Sequence, residues 1–141
     1  MKSFLIIVLF FIAAPCFSQL HKDNTIEIKY INPGVTTLVP VGYTTFDSAF
    51  ASGMYNSEII DNPARFTKLW DYYKSVTYSA ETKPIDARYK ISLYFSVYTK
   101  PVVIYMDYAY NAVDDGKLLS KSNFLKTLIH LVDATVYHKK Y

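Results

Sequence analysis

The sequence predicts an α+β domain: a single mostly antiparallel sheet of five to six strands with two helices packed on one face, a two-layer sandwich. Three observations carry that expectation. Residues 89–98 alternate apolar and polar side chains, the period of a half-buried strand. Two segments, about 63–75 and the stretch after Ser122, repeat apolar residues at i, i+3, i+4 and i+7 behind a capping residue. Turn signals at Asn32-Pro33-Gly34 and Asp114-Asp115-Gly116 separate strand-like runs.

Residues 1–18 read as a leader. Met1-Lys2-Ser3 is a short positive start, and Phe4 to Ala14 is an unbroken apolar run of about 11 residues, the length of a signal-peptide core. A membrane span needs roughly 20 apolar residues, so no stable span is expected once the leader is removed. Pro15 breaks the run, and Cys16 and Ser18 supply small residues at −3 and −1. Cleavage is expected between Ser18 and Gln19, leaving 19–141 as one small domain. Lipid anchoring through Cys16 is disfavoured, because Pro15 stands where a lipobox has Gly or Ala. The expected destination is the periplasm or the cell exterior, and the Phe-Ser-Gln step is of a bacterial kind.

The mature chain begins with a polar stretch. Ile26, Ile28 and Tyr30 then alternate with Glu27 and Lys29, a strand with one buried face. After the Asn32-Pro33-Gly34 turn, Val35 to Val39 reads as a returning strand, so the two are expected to pair as a hairpin. Phe46 and Phe50 suggest one short helical turn, ended by Gly53. Glu58-Ile59-Ile60 suggests a short strand.

Asp61-Asn62-Pro63 is a helix start: a side-chain oxygen can cap free N–H groups, and proline at the first helical position loses no hydrogen bond. Phe66, Leu69, Trp70 and Tyr73 form the apolar stripe, with Arg65, Lys68, Asp71 and Lys74 outside it. The strand 89–98 follows a polar connection. Val102 to Tyr110 is apolar enough on both faces to sit centrally in a sheet. Asp114-Asp115-Gly116 is a hairpin turn of the Asp-Gly kind, with Lys117 to Leu119 as the return strand. Ser120 or Ser122 caps the last helix, whose stripe is Leu125, Leu128, Ile129 and Val132. The expected core joins Phe66, Leu69 and Trp70 and the whole second stripe to Ile91, Leu93, Phe95, Ile104, Met106 and Leu118.

An internal echo runs at an offset of about 59 residues. Ile59-Ile60 matches Leu118-Leu119, and the stripe beginning at Phe66 matches the stripe beginning at Leu125. Each half reads as a hairpin, a short strand and a capped helix.

Composition excludes several classes. A net charge of +3 with no concentrated basic patch argues against nucleic acid. One cysteine allows neither an internal disulfide nor a cysteine-rich zinc site. Four glycines leave little room for a phosphate-cradling loop. The three histidines are too far apart for a ligand pair, and no nucleophile motif is present. Asp107, Asp114 and Asp115 are the nearest approach to a carboxylate cluster, but a hairpin turn accounts for the last two. The expectation is a non-enzymatic protein with no catalytic residues, no metal and no cofactor.

Tyrosine is the one anomaly. The chain has 14, and none falls in the leader. If residues 89–98 form one strand, Tyr94 and Tyr98 face away from the helices. Tyr105 would join them from the next strand, with Lys90 and Asp107 beside them. Such a face suits protein recognition, since tyrosine offers a large rigid apolar area with one polar tip. The expected binding residues are therefore Tyr94, Tyr98, Tyr105, Lys90 and Asp107, and the expected partner is another protein. The alternative is a glycan or small-ligand binder that stacks tyrosine on sugar beside Asp107 or Asn111. A hydrolase ranks third.

Overall fold

The computed structural model describes residues 23–37, 39–49 and 55–138. The expected leader and cleavage step, Phe50, Gly53 and residues 139–141 lie outside the described residues. Within them, one antiparallel sheet is built from β1 (Thr25–Ile31), β2 (Tyr55–Ile60), β3 (Tyr89–Tyr94), β4 (Val102–Met106), β5 (Ala112–Asp114) and β6 (Lys117–Leu118). The helices are α1 (Phe46–Ala49), α2 (Pro63–Tyr73) and α3 (Asn123–Val136). Strand order across the sheet is β2-β1-β3-β4-β5-β6. This is the predicted α+β architecture.

Register explains the main core. Ile28 pairs with Ile91, and Ile91 with Ile104, so one row of branched side chains crosses three strands on one face. Ile26, Leu93 and Met106 extend that face, and all six are fully buried. Phe66 and Leu69 of α2, with Leu125, Leu128 and Val132 of α3, pack down on it. Truncating a side chain so placed to alanine costs about 2–5 kcal/mol. Of the expected core, only Leu118, Trp70 and Ile129 are half-buried rather than buried.

Both long helices start as their sequences predict. The Asn62 side chain accepts from the backbone N–H of Arg65 at 3.1 Å, with Pro63 in the first turn. Ser122 Oγ accepts from the N–H of Leu125 at 3.2 Å.

The opposite face of the sheet carries a second, smaller core. Ile31 and Val113 meet Val41, Phe46, Ile85 and Ala87 there. The covering segment is pinned through its backbone. Val41 N–H donates to Asp86 Oδ1 at 2.7 Å, and Ala87 N–H donates to the Val41 carbonyl at 2.7 Å. The short α1 therefore sits across the sheet from α2 and α3.

Three strand boundaries differ from expectation. The Asn32-Pro33-Gly34 turn forms, with Gly34 at φ +93° and Val35 N–H donating to the Asn32 carbonyl. No strand follows it at residues 35–37, because β2 and β3 already occupy both edges of β1. The strand expected over 89–98 stops at Tyr94, where Tyr98 N–H turns back to the Phe95 carbonyl at 3.0 Å. The strand expected over 102–110 stops at Met106. Residues 107–111 then turn, with Tyr110 at φ +61°, and return as β5.

The echo at 59 residues has a spatial counterpart. β2 and β6 are the two edge strands of the sheet, each precedes a long helix, and those helices pack together.

Replacing Asn62 or Ser122 with alanine should lower the unfolding free energy by about 1 kcal/mol in each case, because the cap leaves a helix N–H without its acceptor. Denaturant unfolding of the two variants checks this, and unchanged midpoints would remove the caps from the account.

Candidate functional site

The five residues expected to share one face do not lie together. Lys90 and Tyr105 are cross-strand neighbours on β3 and β4, on the face away from α2 and α3. The Lys90 ammonium lies 5.9 Å from the Tyr105 ring centroid and pairs with Asp47 of α1 at 2.5 Å. Tyr43 and Phe46 pack against the Tyr105 ring at 6.0 and 5.7 Å. This end of the face is therefore covered rather than open. Tyr94 stands further along the same face, where its hydroxyl donates to Glu27 at 3.2 Å.

Tyr98 is on the other side of the sheet. The turn after Tyr94 breaks the strand alternation and sets its ring against Trp70 and Phe95, at 5.7 and 6.0 Å. Asp107 closes the β4–β5 turn, accepting from the N–H of Asn111 at 2.9 Å and from its side-chain amide at 2.8 Å. Asn111 is engaged in the same turn.

A different group of tyrosines does converge. Tyr43, Tyr73 and Tyr105 line a cleft of about 590 Å³ with Pro101, Val102, Val103 and the Asp114–Gly116 turn. Only Tyr105 belongs to the expected set. The cleft exists because of where β5 ends. Its first pair with β4 is Asp114 opposite Ile104. Asp115 at φ +47° and Gly116 at φ +75° then turn the chain back as β6. Positive φ at both central residues is the tight hairpin geometry that Asp-Gly favours. Among the described residues, no strand pairs with Val102 or Val103 on that side of β4.

The floor is a buried carboxylate. Asp114 Oδ2 accepts from Tyr78 OH at 2.7 Å and from Tyr73 OH at 3.1 Å. Tyr73 ends α2 and Tyr78 follows it, so this one oxygen ties the helix end to the sheet. Burial, then the Asp114 charge, raises the Tyr73 hydroxyl well above the usual phenol value. Burial and the hydrogen bond to Asp114 push Tyr78 up to about 12. Tyr105 is also raised by burial, against the opposing pull of Lys90.

Tyr43 forms the lip, 39% exposed. A Cβ added at Gly116 would stand 3.2 Å from its hydroxyl. Glycine here thus serves two needs, the left-handed backbone and the close approach of the ring.

Neither the family models, nor the curated proteins, nor the solved structures hold a match to this chain. The fold and the cleft define it as a small α+β domain with an aromatic, acidic notch in its sheet edge. Among the described residues, no cluster of three His, Cys, Asp or Glu side chains could hold a metal, and no helix is long and apolar enough to cross a membrane. His130 is exposed on α3, away from this cleft.

The site carries a pH signature. Tyr78 titrates near 10 when unfolded and near 12 when folded. Its contribution to stability is complete below pH 10 and is lost as pH rises through 12, since the phenolate is poorly solvated there, loses its hydrogen bond to Asp114 and is repelled by that carboxylate. Denaturant unfolding between pH 9 and 12.5 should show this decline. Tyr78→Phe should make it shallower, and an equally steep decline in that variant would discount the pair.

Proposed function

We propose that this chain is a small exported, non-enzymatic binding domain that takes an extended segment of another protein into the tyrosine–aspartate cleft. Export rests on the leader-like composition of residues 1–18. The binding mode rests on one observation: the stretch of β4 at Val102–Val103 that no strand among the described residues covers within the cleft.

An uncovered strand edge is a template for a further strand, with main-chain hydrogen bonds giving affinity and flanking pockets giving specificity. The direction of the backbone supports it. Met106 directs its carbonyl to β3, accepting from Arg88 N–H, while Asp107 directs its N–H to the β5 side. Alternation along β4 gives Val103 the orientation of Asp107, toward the open side. Tyr43 and Tyr105 flank the position on one face of the sheet and Tyr73 on the other. The charged groups lining the cleft are Asp114 and Asp115, so a lysine or arginine in the incoming segment would be favoured.

Glycan binding is the second reading. The exposed Asp115 carboxylate beside the Tyr43 ring is the arrangement a sugar hydroxyl and an apolar sugar face would use.

The decisive variant is Val103→Pro. It removes the outward N–H and leaves the β3 ladder intact, since proline is tolerated on a sheet edge. Peptides selected from a displayed library by the purified protein should lose at least about tenfold in affinity for this variant, with little change in melting temperature. If selected peptides bind it equally well, strand addition is wrong. If a glycan array gives ligands while the peptide library gives none, the second reading replaces the first.

A further inference from the structure

A second cleft has the opposite character. It lies between the 109–111 turn, the end of β6 and the first turns of α3, with a volume of about 610 Å³. Half of its lining is apolar, from Leu118, Leu119, Leu125, Ile129, Ala109 and the body of Tyr110, and three serines and Asn111 add neutral polar groups. Its charged residues are Lys121 and Lys126, both exposed. Among the described residues, no acidic side chain lines it. Neither lysine has an ion-pair partner among the described residues. The nearby Asp133 is engaged by Tyr110 OH at 2.6 Å.

We infer that this cleft binds a small amphiphile that carries a carboxylate on an apolar chain of medium length. The volume is within the range of small-molecule sites, roughly 300–1,000 Å³. The apolar walls account for the chain, and the two lysines account for the head group. A bare inorganic anion would leave the leucine and isoleucine walls without a role. A neutral apolar ligand would leave both lysines without one. The side chain of Ser122 already caps the helix through Leu125 N–H, so the head group is assigned to the lysines and not to the helix end. The site is separate from the tyrosine–aspartate cleft, with which it shares no lining residue.

Calorimetric titration of the purified protein with hexanoate, octanoate and decanoate tests the assignment. Affinity should rise about fourfold per added methylene. It should weaken as salt rises from 0.05 to 0.5 M, because the lysines are solvent-exposed. The double variant Lys121→Gln/Lys126→Gln should bind decanoate about tenfold more weakly and bind decanol unchanged. Ala109→Trp, a substitution at an exposed turn position that fills the cleft, should abolish binding without unfolding. Val103→Pro should leave decanoate binding intact, which separates this site from the proposed peptide site.

Four results would overturn the assignment. They are absence of decanoate binding, acetate or phosphate binding as tightly as decanoate, decanol binding as tightly as decanoate in the parent, and full affinity in Ala109→Trp.

Discussion

The Asp114–Gly116 turn is the constraint on which the rest depends. The hairpin reverses one residue after Asp114, so β5 covers only the second half of β4. A hairpin two residues longer would pair Val103 and Val102 and close the notch. The same reversal leaves Asp114 as the last strand residue on the face toward α2, where its carboxylate is nearly buried. A buried carboxylate without donors is costly, by several kcal/mol for an isolated charge. Two tyrosine hydroxyls from the end of α2 and the segment after it meet that need. The notch and the anchoring of α2 therefore have one origin in the length of a hairpin.

That origin also explains why residues close in sequence line two clefts of opposite charge on a chain of low net charge. Asp114 and Asp115 are brought to one end of β5 by the turn. Lys121 and Lys126 follow β6 by a few residues and flank the start of α3. The β5–β6 hairpin lies between the two pairs.

Features set by local pattern were legible in the sequence. The alternation from Tyr89 to Tyr94, the capped stripes of α2 and α3 and the Asp-Gly turn each depend on residues within a few positions of one another. The hairpin expected from Ile26 to Val39 failed for a non-local reason. Its turn is real, but the edges of β1 are filled by strands about 30 and 65 residues further on, and nothing in residues 35–39 signals that competition. The placement of Tyr98 failed because alternation says which face a residue takes only while the strand lasts. The second core was missed because Val41, Phe46 and Ile85 are isolated apolar residues in segments without a period. The cleft gathers Tyr43, Tyr73, Tyr105 and Asp114 from four places in the chain, and no spacing joins them. Its only sequence trace was the excess of tyrosine.

That excess has mostly a structural cause. Tyr73 and Tyr78 donate to Asp114, Tyr94 to Glu27 and Tyr110 to Asp133, while the Tyr89 and Tyr137 hydroxyls share a hydrogen bond. In each carboxylate case one side chain adds ring area to the packed interior and satisfies a shielded charge with its tip. Phenylalanine would supply only the first and serine only the second. One cysteine cannot form an internal disulfide, so stability has to come from packing of this kind. Six of the 14 tyrosines are occupied in this way, and Tyr105 lies under α1. Tyr43 differs from all of these. Its ring is at the lip of the notch and its hydroxyl rests against the one turn residue that lacks a side chain. Its ring packs on Tyr105 from outside, yet it satisfies no buried charge and stays 39% exposed at the mouth of the notch.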